Sequence, residues 1–251
     1  MRMDGTLLPF LLGSIAALLV GFSKTGLPGA AIPAVALMAE AYPHETKLSV
    51  GAILPLLLVG DLFAITVYRR HADWRRLWQL APYVVVGMVP AYCVLQWVAG
   101  PVLRILIGAI ILLLLAVHIS RRWWGSGRLL ERTWFVAATG ILAGFATTVS
   151  NAAGPVMSVY LISKRFDKLR FLGTAAWFFF LVNLSKIPGY TLLGMMTPAT
   201  LRFNLLLVPG VIVGAILGVR IARRVPQRLF EALVLLLAGA AAVRMIAVPG
   251  G

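Results

Sequence analysis

Three ionisable side chains stand inside apolar sequence, where charge is costly and marks function or a partner. Lys24 lies in GFSKTGLPG, Gly21 to Gly29. Asp61 is the fourteenth residue of the apolar run Leu48 to Tyr68. Lys186 is the sixteenth of the run Phe171 to Leu193, and Asn183 precedes it by three, so both share a helix face that excludes Ser185. Two ammonium groups and an amide are anion chemistry. The glycine-rich stretch around Lys24 adds Thr25, Gly26 and free backbone N–H groups, and helix N-termini favour anions. Asp61 is the candidate for carrying a proton. Each residue also has a plainer reading. Lys24 and Lys186 could reach the headgroups with their aliphatic stems, and Asp61 could be the structural counter-charge of either lysine.

A second polar stretch, GFATTVSNAAGP from Gly144 to Pro155, begins 123 residues after the first. Thr147, Thr148, Ser150 and Asn151 offer hydrogen bonds there without charge. Their plainer role is capping the helix that starts near Pro155. Irregular backbone at membrane depth is tolerated only where protein buries it or where it lines a watery cavity. Two interruptions at matching places in two halves point to a transporter's binding site.

The elements that must hold these residues are membrane helices. Of 251 residues 61% are hydrophobic and 12% charged, about half the charged share of a soluble domain. Several apolar runs approach the ~20 residues that span a bilayer. The first half reads as a hairpin of two short pieces, Thr6 to Phe22 and Ala30 to Tyr42. Spans at Leu48 to Tyr68, Leu77 to Val98 and Pro101 to Ser120 follow. The second half repeats the plan, with a hairpin of Trp134 to Thr148 and Val156 to Ile162. Its spans are Phe171 to Leu193, Leu201 to Ala222 and Leu229 to Val248. Residues 1–120 form the first repeat, 121–133 a basic linker and 134–251 the second repeat, all in one integral membrane domain. Gly21 aligns with Gly144, Gly51 with Gly173, and Asp61 with Asn183.

Charge orients the chain. Arg69, Arg70, Arg75 and Arg76 share a loop; so do Arg121, Arg122, Arg128 and Arg132, then Lys164, Arg165, Lys168 and Arg170, then Arg220, Arg223, Arg224 and Arg228. These are 16 of the 23 basic residues, and the positive-inside rule puts all four loops in the cytoplasm. Each broken hairpin then starts and ends on one side, the two on opposite sides. The expected fold is therefore an all-α polytopic membrane protein of two inverted-topology repeats. Each repeat is a broken or re-entrant helical hairpin followed by three transmembrane helices, and both termini lie outside. The run at the N-terminus lacks a strong basic leader and reads as retained.

The net charge of +15 comes from those loops, so no nucleic-acid partner is inferred. Cys93 is the one cysteine, and His44, His71 and His118 are scattered without metal spacing. No metal, no cofactor and no enzymatic centre are expected. Glu40, Glu45 and Glu231 read as interface or helix-end residues, and most tryptophans, Trp74, Trp78 and Trp134 among them, as an interfacial belt.

GFSKTGLPGAAIP, GFATTVSNAAGP, Gly173-Thr174 and Asn183-x-x-Lys186 together resemble the TauE/SafE family of sulfite exporters, over nearly the whole chain. The pattern departs from the family's glycine-dense first motif at Pro28 and at Ala30-Ala31. The resemblance implies a secondary transporter, an exporter, of small sulfur-containing anions such as sulfite, thiosulfate or organosulfonates, in a bacterial inner membrane. The residues themselves imply alternating access between repeats. The substrate set is Lys24, Thr25, Gly26, Ser150, Asn151, Asn183 and Lys186, with Asp61 for proton coupling. H+ is the candidate coupling ion. A homodimer stays open, since no residue argues for one. The rival readings are a passive anion channel and an accessory or enzymatic membrane subunit.

Overall fold

The computed structural model describes residues 7–28, 31–42, 46–97 and 133–247, with Ile105, Ala109, Leu112 and Ala116 as isolated helical positions. Most of the span expected from Pro101 to Ser120, the linker tryptophans Trp123 and Trp124, His44, His118 and Glu45 lie outside the described residues. The described chain is helical throughout, without strands: α1 (Leu7–Thr25), α2 (Ala31–Ala41), α3 (Thr46–Tyr68), α4 (Trp74–Trp97), α5 (Thr133–Ser150), α6 (Ala153–Ser163), α7 (Lys168–Leu192), α8 (Pro198–Arg224) and α9 (Gln227–Ala247). A single turn of 3₁₀ helix, Arg69–His71, joins α3 towards α4. In lipid a helix satisfies its own backbone, which is why apolar runs of this length take this form. Six of the helices, α1, α3, α4, α5, α7 and α8, are long and apolar enough to cross a membrane. The protein is an all-α polytopic membrane protein.

The helix ends differ from the expected ones in an informative way. The first apolar piece was expected to stop at Phe22, yet α1 continues through Gly21 to Thr25, so Lys24 sits in its last turn. Likewise α5 continues through Gly144 to Ser150. Both glycines serve packing. A Cβ on Gly21 would fall 1.9 Å from the Val211 carbonyl oxygen, and one on Gly144 would fall 2.1 Å from that of Val84.

The helices divide into two compact units, each drawing on both halves of the sequence. One holds α1, α2, α3, the end of α7 from Ala175, and α8. Here α1 and α8 run parallel. Gly13 faces Phe203 and Leu207, Gly21 meets Val211 and Ala215, and Gly26 meets Gly218. Ala16, Ala17, Val20, Met38, Ile53, Leu56, Leu207 and Val211 form the apolar core. On the flank of α3, Gly51 abuts the Met195 carbonyl, and the Asn204 amide donates to the Ala52 carbonyl at 2.7 Å.

The other unit holds α4, α5, α6, the start of α7, and α9. A Cβ on Gly87 would fall 2.0 Å from the Ile141 carbonyl oxygen, which pairs α4 with α5 through a second glycine seam. Phe171 at the start of α7 meets Phe230 of α9 edge-on, with 5.4 Å between ring centroids. Asp73 precedes α4 and accepts the Arg76 backbone N–H at 3.1 Å. Its other oxygen accepts from the Arg170 guanidinium. These bonds hold the Asp73 carboxyl below its ordinary range; partial burial, the largest single influence, pushes the other way and is outweighed.

The two seams repeat one another. Gly21 with Val211, and Leu18 with Gly214, recur as Gly144 with Val84, and Ile141 with Gly87. The α1 partner shifts by 123 residues to its α5 counterpart, and the α8 partner by 127 to its α4 counterpart. Thr25 and Thr148, also 123 apart, each bond back to the carbonyl of the aligned glycine.

Candidate functional site

The charged residues singled out in the sequence gather in the first unit. The Lys24 ammonium lies 2.7 Å from Asp61 Oδ1, with the lysine side chain 8% and the aspartate 0% exposed. The Asn183 amide donates to Asp61 Oδ2 at 2.6 Å. Thus Asp61 on α3 is gripped through one oxygen by α1 and through the other by α7. Among the described residues, the charged side chains with no exposure are Asp61 and Lys186. Lys186 stands one turn beyond Asn183 on the same face, and the charges of Lys24 and Asp61 both act on it. The headgroup-reaching alternative for Lys186 is not the arrangement adopted, since the side chain is enclosed.

Local sequence explains how the cluster is built. Gly60 has no side chain, and a Cβ there would press to 3.0 Å against the Lys24 stem. The ammonium also lies 4.3 Å from the centroid of the Phe179 ring, a cation–π contact worth more as water is excluded. The Lys186 ammonium is 5.5 Å from the Tyr190 ring centroid. Phe179 and Tyr190 were not read as site residues from the sequence. Their signal was spacing on α7, with Asn183 four after Phe179 and Tyr190 four after Lys186.

Thr25 and Gly26 close the end of α1 on protein. The Thr25 hydroxyl reaches the Ala215 carbonyl at 2.7 Å as well as Gly21 at 3.1 Å, and the Thr25 carbonyl accepts from the Tyr68 hydroxyl at 2.9 Å. Gly26 lies against Gly218. These contacts tie α1, α3 and α8 together beside the charges.

Ser150 and Asn151 belong to the second unit. The Ser150 hydroxyl donates to the Ala146 carbonyl at 3.2 Å, and Thr148 to Gly144 at 2.8 Å, so both bond back along α5. Asn151 turns the chain with φ 53°, a left-handed conformation that asparagine tolerates. The N-cap of α6 is Ala152, which has no side-chain acceptor, so the capping role falls to none of the polar residues at that position. No group of histidine, cysteine or acidic residues suited to a metal occurs among the described residues. Trp74, Trp78 and Trp134 are exposed near helix starts, as an interfacial belt requires.

A lysine–aspartate pair and a second lysine thus lie enclosed among helices of a multi-pass membrane protein. The model of the family Sulfite exporter TauE/SafE matches residues 9–245. The chain belongs to this family of membrane transporters. No curated protein and no solved structure matches it.

Proposed function

We propose that the protein is a secondary transporter exporting small anions, sulfur oxyanions such as sulfite, thiosulfate or organosulfonates, from a bacterial cell by alternating access. The observation that carries the reading is the gathering of Lys24, Asp61, Asn183 and Lys186 on three helices of one unit, enclosed within the protein. Lys24 and Lys186 supply the charge that holds an anion, and Asn183 supplies a directed N–H. Asp61 takes a proton when it loses Lys24, because an unpaired carboxylate in low dielectric is costly. Thr25 and Gly26 support the site from the end of α1. The reading does not draw on Ser150 or Asn151.

The proposed membrane arrangement is two inverted repeats, with the four basic loops in the cytoplasm and both termini outside. In that arrangement α1 and α8 share a direction, and so do α4 and α5. The parallel register of α1 with α8 supports it, and so does the recurrence of one seam in the other.

The test is flux by purified protein in liposomes. The panel contains sulfite, thiosulfate, sulfoacetate, acetate and sulfate, with taurine as a zwitterionic control, each with and without a proton gradient. Saturable, gradient-dependent flux selective for sulfur oxyanions is expected, and Lys186→Ala should abolish it while the protein stays folded. Unsaturable flux indifferent to the gradient would replace the transporter with a channel. Normal transport by Lys186→Ala would remove that residue from the site.

A further inference from the structure

The Asp61 carboxylate is held as a bound anion would be. One oxygen takes the Lys24 ammonium at 2.7 Å, and the other takes the Asn183 amide at 2.6 Å. Phe179 lies against that ammonium, and the missing side chain at Gly60 gives the lysine stem room to present it. The donors a small oxyanion needs are therefore engaged by an internal one. Asp61 has no exposure, Asn183 almost none and the Lys24 side chain only 8%, so little of the donor surface is open to a solute from water.

Resting on the anion-transport reading, we propose that Asp61 is a stand-in ligand. Its carboxylate occupies the position of the transported oxyanion, and the anion enters by displacing it. A carboxylate, a sulfonate and hydrogen sulfite each present two oxygens of one head group to such donors, so the class of ligand is a small oxyanion with a compact head. Displacement also sets the resting affinity low. Each anion bound must overcome a charge-assisted contact already made, and such contacts are the strong ones.

A stand-in ligand reverses the usual sign for a residue at the heart of a site. Shortening Asp61 should tighten anion binding while it destroys coupled transport. The experiment uses the full chain in lipid nanodiscs and measures binding of methanesulfonate and of acetate by calorimetry. Asp61→Ala should bind both at least tenfold more tightly than wild type. Lys24→Met/Asp61→Ala, which removes the pair together, should bind neither. Should Asp61→Ala fold poorly in plain buffer, acetate present during purification should restore a monodisperse protein by refilling the vacated position.

Weaker or equal binding by folded Asp61→Ala, while wild type binds, would overturn the stand-in role and leave the transport reading intact. Failure of acetate to restore a poorly folded Asp61→Ala would overturn it as well. Absence of binding by folded wild type and all variants would overturn the stand-in role, while the transport reading stands or falls on the liposome flux. Tighter binding retained in the double variant would also overturn the proposal, because the anion would then sit elsewhere.

Discussion

The α1–α8 seam and the α4–α5 seam share a backbone plan and differ in what they carry. In both, glycines let one helix rest on the carbonyls of the other. Lys24 of α1 corresponds, 123 positions on, to Thr147 of α5. Asp61 corresponds to Asn183, and the two aligned residues touch. Lys186 corresponds to Ala64 by the same shift of 122, and Ala64 is buried and apolar. The contrast between the seams is thus Lys24 against Thr147, while Asp61, Ala64, Asn183 and Lys186 all stand on α3 and α7 of the first unit. Close helix packing is therefore separable from the chemistry it supports.

The largest contrast is expected at the charge. Lys24→Met leaves Asp61 buried without its cation, a loss of about 3–5 kcal/mol for breaking one side of a buried pair. Thr147→Met, at the aligned and equally enclosed position, leaves no charge unpaired and should cost about 1–3 kcal/mol, the range of overpacking. Thermal unfolding in detergent, followed by survival of the monodisperse peak, would check both. Equal losses would mean that Lys24 matters for packing alone.

The glycines should then behave alike. Gly21→Ala and Gly144→Ala each drive a methyl into a backbone carbonyl, so each should cost about 1–3 kcal/mol, the range of overpacking. A seam that accepts its alanine while the other does not would end the equivalence.

A smaller effect is expected at Thr25. Its hydroxyl reaches across to the Ala215 carbonyl of α8 as well as back to Gly21. Thr25→Val should lose about 1 kcal/mol, the net worth of a hydrogen bond. A double-mutant cycle with Tyr68→Phe, whose hydroxyl holds the Thr25 carbonyl, would sharpen that figure.

The smallest effect is a pH dependence at the helix starts. α4 begins after Asp73, and its aligned partner α8 begins after Thr197, whose hydroxyl accepts from Thr200 in an uncharged capping box. Because the folded Asp73 carboxyl lies below its ordinary value, its contribution is present above that value and fades as the pH falls through the folded one. Arg170 is half-exposed, so the contribution is a fraction of a kcal/mol at most after screening. Asp73→Asn should flatten the acid limb of the stability profile slightly, and Thr197→Ala should shift the whole profile without changing its slope.

Much of this was legible in the chain. The spans at α3, α4, α7 and α8 followed from apolar length, and Lys24, Asp61, Asn183 and Lys186 stood out because charge or amide in a span is rare. Their helix face was readable for Asn183 and Lys186, which are three apart. What the chain could not show was which lysine takes Asp61, because that depends on how α1, α3 and α7 pack. The packing role of the glycines was hidden for a related reason. Composition cannot separate a glycine that ends a helix from one that admits a neighbouring backbone, and Gly21 is of the second kind. Gly60 escaped notice because its use is to seat a lysine from another helix.

The glycine seam has a mechanical meaning. Where side chains separate two helices, rotamers can repack and the helices can slide by small steps. α1 and α8 meet through backbone, at Gly21 and at Gly214, so there is little between them to rearrange. They are expected to move as a single beam although one belongs to each sequence repeat, so motion during a transport cycle is expected not between whole repeats but where side chains alone make the join, as at Asp61 and Asn183. A covalent cross-link along α1 and α8 should therefore leave the cycle running, while one that fixes α3 to α7 should stop it.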